Sequence, residues 1–340
     1  MKEFVRDTLF PRVYLVGRNE EAAEAVIAEC KELNQGGKVQ FLKADVSTLA
    51  EVDRVCAEIT KKESHINLLV QTQSNIDLKG RNGELVTYSP NHSSSQTNMQ
   101  TETTEGLDRK FTLNFYSRMR FISNLLPLLN ASSEMAPHYS RSISVLGAGY
   151  EEKIDFSDLD LKNTFSPRKC AAHTIVMNDI MAEEFSIRQP GTTFIHSSPL
   201  AVYTELGRDA PLWARVLAKG FAFVFSPFFV SAKETGERHT FLATSALYPP
   251  RKPFEIGPLS KGIIVPGGSK TVMPGADGKD GSGAYLVNWN NEITGREKLL
   301  QDYRDTGTGR VIWEHTMGIF EQVEKLRQER VAGKTLNSQL

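Results

Sequence analysis

The feature that most constrains this chain is a repeated alternation of short apolar runs with longer amphipathic ones. VYLVGRN, VQFLKADV and INLLVQ each have the length of a strand and end in polar residues. Between them lie EEAAEAVIAECKELN and AEVDRVCAEITKK, whose apolar residues recur at helical spacing. Strands that alternate with helices of this length form βαβ units, and such units build a parallel sheet with helices on its faces. The expected fold class is therefore α/β, a doubly wound parallel sheet. Ahead of the first strand, MKEFVRDTLF puts Phe4, Val5 and Leu9 on one helical face, and Pro11 closes that helix.

From Leu78 to Gly106 the pattern dissolves into polar, turn-forming sequence, which predicts a loop. Order returns with LDRKFTLNFYSRMRFISNLLPLL, a long helix with apolar residues at helical spacing. The stretch from Arg141 to Asn178 follows: an apolar strand over Ser142–Leu146, a Gly-rich turn, a polar loop, then a helix with Lys169 on its first turns. TTFIHSS reads as another strand. Beyond Pro199 come an apolar segment at 211–230, a helix around Ala232–Ala246 and a Gly/Pro-rich connector. AYLVNW is a last strand, and residues 294–330 read as two charged helices. Within the connector, GIIVPGG imitates a strand and turn, but Pro266 removes a donor and no helix follows. Residues 1–206 are expected to form the core, and 207–340 to add a lid, the last strand and C-terminal helices to the same domain.

Composition narrows the function classes. A net charge of −1 and no cluster of Lys and Arg argue against nucleic acid as a partner. Cys30, Cys56 and Cys170 are too widely spaced for a disulfide framework or paired metal ligands, so no metal is expected. Asn91 and Asn130 open glycosylation-like triplets without a preceding signal peptide, so a cytoplasmic setting is the expectation. The longest apolar run, Gly220–Val230, is too short to span a bilayer. It reads as an amphipathic lid over an apolar pocket, with peripheral membrane contact as the alternative.

VYLVGRN, ADV, EGLDRK, LNFYSRMRFISNLLPLL, SVLGAG and GSGAYLVNW, in that order, resemble the short-chain dehydrogenase/reductase family. The resemblance is to a fungal branch whose members often lie in secondary-metabolite gene clusters. It implies a Rossmann-like core, NADP as cofactor and oxidation or reduction of a ketone or alcohol on an apolar small molecule. Homodimerisation through the long fourth and fifth helices is a further implication. Matched position by position, the resemblance places Arg18 against the 2′-phosphate of NADP, where a guanidinium offers fixed donors to phosphate oxygens. A solvated arginine at a strand end is the plainer reading of the same residue. Asp45 and Val46 match the pair that contacts adenine. Asn114 matches the asparagine that holds a relay water, and Lys169 the lysine that touches the nicotinamide ribose. Val202 and Thr204 match the loop beside the carboxamide, with Leu200 in place of a glycine.

Four departures accompany these matches. Gln71-Thr72-Gln73-Ser74 stands where the family has Asn-Asn-Ala-Gly. Gly147 replaces the catalytic serine, and Phe165 the catalytic tyrosine, giving a degenerate active site. His173, one turn after Lys169, could donate a proton in its stead, although a structural histidine is the plainer reading. The Gly-rich turn that would bind a pyrophosphate, with the central strand before it, has no counterpart ahead of VYLVGRN. Either the strands flanking that place close up and pair, or further sequence precedes Met1. Three functions therefore compete: an NADP-dependent oxidoreductase, a redox-silent relative that binds or isomerises an apolar metabolite, and a non-catalytic partner subunit.

Overall fold

The computed structural model describes residues 1–74, 102–135, 138–199, 230–252, 262–264 and 272–337. The predicted loop from Leu78 to Gly106 lies largely outside these residues, as do most of the apolar segment 211–230 and Val202 and Thr204.

The first half alternates as its periodicity requires: α1 (Lys2–Asp7), β1 (Arg12–Gly17), α2 (Glu20–Leu33), β2 (Lys38–Lys43), α3 (Leu49–Lys62) and β3 (Leu68–Gln71). Asn19 caps α2 by accepting the Ala22 N–H at 3.0 Å. A long helical stretch follows, made of a short α4 (Arg109–Phe111), a π turn over Thr112–Tyr116 and α5 (Ser117–Glu134). Then come β4 (Arg141–Val145), α6 (Pro167–Arg188), β5 (Thr193–Ser197), α7 (Ala232–Thr244), β6 (Ala284–Val287), α8 (Glu297–Asp305) and α9 (Thr308–Asn337). Ser166 caps α6 through the Lys169 N–H, and Pro167 opens it, where a missing N–H removes no helical bond.

Among the described residues every strand pairing is parallel, but the strands form two sheets rather than one. β1 pairs with β2, and β3-β4-β5-β6 make the second sheet. β1 and β3 do not pair, so the first of the two expected resolutions, closing up, does not occur. Burial follows this division. β5 and β6 are buried throughout and β4 nearly so, whereas β1 is at best half-buried and Val70 on β3 is 46% exposed. The two sheets are held together from one side: Tyr14 and Val16 of β1 and Leu69 of β3 pack on one apolar cluster with Val52 and Val55 of α3 and Leu125 and Leu128 of α5. The described part of the GIIVPGG connector contributes an isolated bridge between Ile263 and Ser245.

The main core lies between the second sheet and α5, α6 and α9. Ile312, Ile319, Phe320 and Val323 of α9 are buried in one cluster with Met119 and Ile122 of α5 and Met181 and Phe185 of α6. Trp313 meets the Phe185 ring edge-on and carries the Arg188 guanidinium 4.0 Å from its own centroid. Arg327 fastens the far end of α9, donating to Asp53 and to Glu105 at 2.6 Å each. The face of α5 and α6 is therefore filled by a helix of the same chain. On the opposite side of the sheet, fully buried Arg141 donates to the carbonyls of Leu242, Ser245 and Tyr248, tying the end of α7 to the start of β4.

Two separate sheets predict uneven local stability. In native-state hydrogen exchange, the amides of β4 and β5 should be protected at least tenfold more than those of β1, because β1 lacks both burial and a second partner strand. Equal protection of β1 and β5 would show that the chain does not fold as two sheets.

Candidate active site

The polar centre of the molecule lies at the C-terminal ends of β3 and β4. Phe111, Phe115, Arg118, Ile122, Leu125 and Leu129 form the apolar stripe of the α4–α5 stretch, and Arg118 is its one charged member. Arg118 is fully buried and, among the described residues, is paired with no carboxylate. It donates to Ser144 Oγ at 2.8 Å, to the Val145 carbonyl at 3.0 Å and to the Gln71 and Leu113 carbonyls at 3.3 Å, and it also binds the Gln73 carbonyl. Burial lowers its pKa to about 9, so the carbonyl dipoles hold the charge at neutral pH.

Ser144 continues the network, donating to Asn178 Oδ1 at 3.0 Å. The amide of Asn178 donates to the Asn114 carbonyl at 2.9 Å and to the Thr174 carbonyl at 2.7 Å. Asn114 sits inside the π turn, where the wider winding frees carbonyls from the helical ladder, and it is 8% exposed. Asn178 of α6 is thus the residue that reaches Asn114. Lys169 lies nine positions earlier, about 13 Å along the helix axis. It is exposed on the first turn and lines a cleft of about 600 Å³ together with Glu152, Ile154, Asp155, Arg168 and His173. Lys169 thus belongs to the cleft wall, and Asn178 is the α6 side chain described on the Asn114 carbonyl.

Phe165, at the tyrosine position, is half-buried against the main core. A cation does stand beside it: Lys110 Nζ lies 5.4 Å from the centroid of its ring. Lys110 is 3% exposed and four residues before Asn114. His173 is a structural histidine. Its Nε2 accepts the Asp155 N–H at 3.1 Å and its Nδ1 donates to the Leu159 carbonyl at 3.2 Å, so both nitrogens are spent on main chain.

Gly147 ends the β4 turn, and its N–H donates to His196 Nε2 at 3.1 Å. His196 Nδ1 donates to Asp179 Oδ1 at 2.5 Å, and neither side chain is exposed. Burial and the positive field of Arg118 lower His196 to about 3, so the imidazole is neutral. Burial, together with the like charges of Glu151 and Glu183, raises the Asp179 carboxyl well above the ordinary range, and its second oxygen has no hydrogen-bond partner. Glu151, also fully buried, accepts the N–H groups of Gly149 at 2.6 Å and Arg296 at 3.0 Å.

In the other sheet, Arg18 is exposed just beyond the C-terminal end of β1. Asp45, after β2, accepts from Arg109 Nη2 at 2.8 Å and from the Ser47 N–H at 3.1 Å. Burial alone would raise the Asp45 carboxyl, but Ser47, Arg109 and Arg18 together hold it below the usual range. Val46 packs half-buried nearby. Arg18, Asp45 and Val46 are therefore gathered, with Arg109 as a cation the sequence reading missed. Arg118, Lys110, His196 and Asp179 were also missed. For Arg118 a signal existed, a charge on an apolar helical stripe; Lys110, His196 and Asp179 depend on which segments meet.

Layer order and parallel pairing are those of a Rossmann-like α/β protein, with a polar centre at the strand ends. A short chain dehydrogenase family model matches residues 10–134. Oxidoreductase AN1596 of Emericella nidulans is 36% identical over 95% of this chain and 88% of its own length. Oxidoreductase andH of Emericella variicolor is 31% identical over 92% and 84%, and the short-chain dehydrogenase/reductase SAT2 of Stachybotrys chartarum 28% over 92% and 84%. Among solved structures, NADPH-bound carbonyl reductase from chicken fatty liver superposes with a TM-score of 0.47 at 13% identity, covering 83% of this chain and 87% of that one. The chain belongs to the short-chain dehydrogenase/reductase family, and it is an oxidoreductase of that type.

The family's nicotinamide dinucleotide fits only in part. Arg18 and Arg109 stand beside Asp45 at the ends of β1 and β2. Between there and Asn114, the described residues offer no turn of free backbone amides for a diphosphate. The turn after β1 leads into α2, whose first turn carries Glu20 and Glu21, and these repel an anion. A cradle for the middle is not among the residues described.

Two predictions come from the region around Gly147 and His196. A Cβ on Gly147 would sit 2.9 Å from Ile175 Cδ1. Gly147→Ser should therefore destabilise the protein by about 1–3 kcal/mol, and adding Ile175→Val should recover most of that loss in urea melts. The second concerns Asp179. An acid whose folded pKa is raised keeps its proton in the native state, so its contribution is full below the unfolded pKa of ~4 and is lost as pH rises toward the folded value. Asp179→Asn stays neutral and retains an acceptor for His196. The stability of this variant relative to the parent should increase from pH 4 to pH 8; a constant difference would show that Asp179 is ionised in the fold.

Proposed function

We propose that this protein is an NADP-linked short-chain oxidoreductase that acts on a ketone or alcohol of an apolar metabolite in a fungal secondary pathway, in the cytosol. The observation that carries the cofactor reading is the pair of guanidiniums, Arg18 and Arg109, beside Asp45 at the ends of β1 and β2. Two cations around one carboxylate leave a local excess of positive charge, which suits a 2′-phosphate rather than the bare ribose hydroxyl of NAD. The fungal relatives called oxidoreductases support the reaction class.

A redox-silent relative that binds or isomerises an apolar metabolite is the second reading. It is favoured by Phe165, whose ring supplies no proton, and by the absence of a described diphosphate cradle. The partner-subunit reading needs the face of α5 and α6, which α9 covers.

NADPH should bind weakly, at about 10 μM or above, because among the described residues no backbone amides are placed to hold the diphosphate. The fragment 2′,5′-ADP should bind better than 5′-ADP, and Arg18→Ala should weaken it about tenfold or more, the size expected for a charge-assisted hydrogen bond of about 1.5–3 kcal/mol. Isothermal titration measures all three. Equal affinity for the two fragments would remove NADP specificity, and no binding of either fragment or of NADPH would favour the redox-silent reading.

A further inference from the structure

Two fully buried acids, Glu151 and Asp179, meet behind the turn that follows β4, and the hydrogen bonds around them leave one proton to be placed. The Gly147 N–H can only donate, so His196 Nε2, which accepts it at 3.1 Å, carries no proton. The imidazole is therefore neutral, and its Nδ1–H goes to Asp179 Oδ1. Asp179 Oδ2 is buried without a hydrogen-bond partner. Glu151 stands within hydrogen-bonding reach of the Asp179 carboxyl. Its own two oxygens accept the Gly149 and Arg296 N–H groups at 2.6 and 3.0 Å.

The charged groups around this pair supply no counter-ion. Glu183, on the same helix as Asp179, adds another negative charge and is itself taken by Arg304 of α8 through two contacts of 2.8 Å. Arg118 of α5 acts on His196 and is held by main-chain carbonyls. Apart from the neutral His196, no basic side chain among the described residues is paired with either acid. Two carboxylates side by side in such a place repel each other and have both lost their water. One proton between them removes the repulsion and gives Asp179 Oδ2 a bond to make.

We propose that Asp179 and Glu151 share one proton, and that this acid pair is a pH-sensitive latch holding the turn after β4 against the loop after β6. Glu151 takes one N–H from each side, Gly149 from the turn and Arg296 from the loop. The two pieces touch there: a Cβ on Gly149, whose φ is +92°, would lie 2.5 Å from Thr294 Oγ1. Residues 152–155, which follow Glu151, line the cleft of about 600 Å³, so the latch sets one wall of that cleft. Asp179 holds its proton above the ordinary carboxylate range. The latch is therefore closed below the folded pKa and opens as pH rises through it. Beyond that point the two carboxylates repel, Glu151 withdraws and both amides are freed. None of this depends on the cofactor reading.

Protein labelled with carbon-13 at its aspartate side-chain carboxyls reports the proton directly. At neutral pH one carboxyl should resonate as a protonated acid, and that signal should be missing from Asp179→Asn. Glu151→Gln removes the like charge, so its Asp179 should ionise at lower pH, with an acid constant about tenfold larger or more. Hydrogen exchange at neutral pH reads the latch itself. Asp179→Asn keeps a donor toward Glu151 and an acceptor for His196, and should protect the Gly149 and Arg296 amides as the parent does. Asp179→Leu has a similar volume and no donor, and should lose about tenfold or more of that protection. Three results would each overturn the proposal: an Asp179 already ionised at neutral pH, a Glu151→Gln protein that keeps the proton as long as the parent does, or equal protection in Asp179→Leu and Asp179→Asn. Should Glu151→Gln or Asp179→Leu not fold, the neutral-pH carboxyl signal of the parent decides, and its absence overturns the latch.

Discussion

Arg118 is the interaction on which the centre of the molecule depends. Its guanidinium gathers the main chain of β3, β4 and the π turn at a point where parallel strands present carbonyls that no neighbouring strand uses. A buried cation without a carboxylate partner is stable only if dipoles surround it, and here they come from three segments at once. Removing it would leave several buried acceptors without a donor, each costing about 1–3 kcal/mol. The position of Ser144, and through Asn178 that of Asn114, follows from this one side chain.

The split between the β1–β2 sheet and the β3–β6 sheet is the second constraint. Residues that could meet the adenosine end of a dinucleotide belong to the first sheet, and those around Asn114 belong to the second. What connects them is the apolar packing of α3 and α5 beneath both sheets, reinforced by Asp53, which receives Arg120, Asn124 and Arg327. Such packing keeps the two sheets attached without hydrogen-bonding them to each other. It therefore sets their proximity but supplies no amides between them, and affinity for a molecule spanning both sheets depends on those amides.

Polar groups used for structure and polar groups open to chemistry are interleaved at the same strand ends. His173 and His196 both have two ring nitrogens engaged, one pair with main chain and the other with Gly147 and Asp179. Neither imidazole has a nitrogen left to exchange a proton with a substrate. Among the basic groups of the same helical stretch, Arg118 is held by carbonyls and Lys110 Nζ lies 5.4 Å from the centroid of the Phe165 ring.

Alternating apolar runs and helical repeats were enough to determine the strands, the parallel α/β class and the order of the elements, because those depend on local periodicity and on which faces must be buried. VYLVGRN and INLLVQ became β1 and β3, and LNFYSRMRFISNLLPLL became the long helix, close to where their patterns put them. The family was also legible, since its motifs are short and collinear. Tertiary structure alone decided that β1 and β3 stay apart, that α9 fills the face of α5 and α6, and that Lys110 rather than Lys169 meets position 165. Each of these depends on contacts between segments distant in the chain, and helical or strand periodicity carries no information about which distant segment a face will meet.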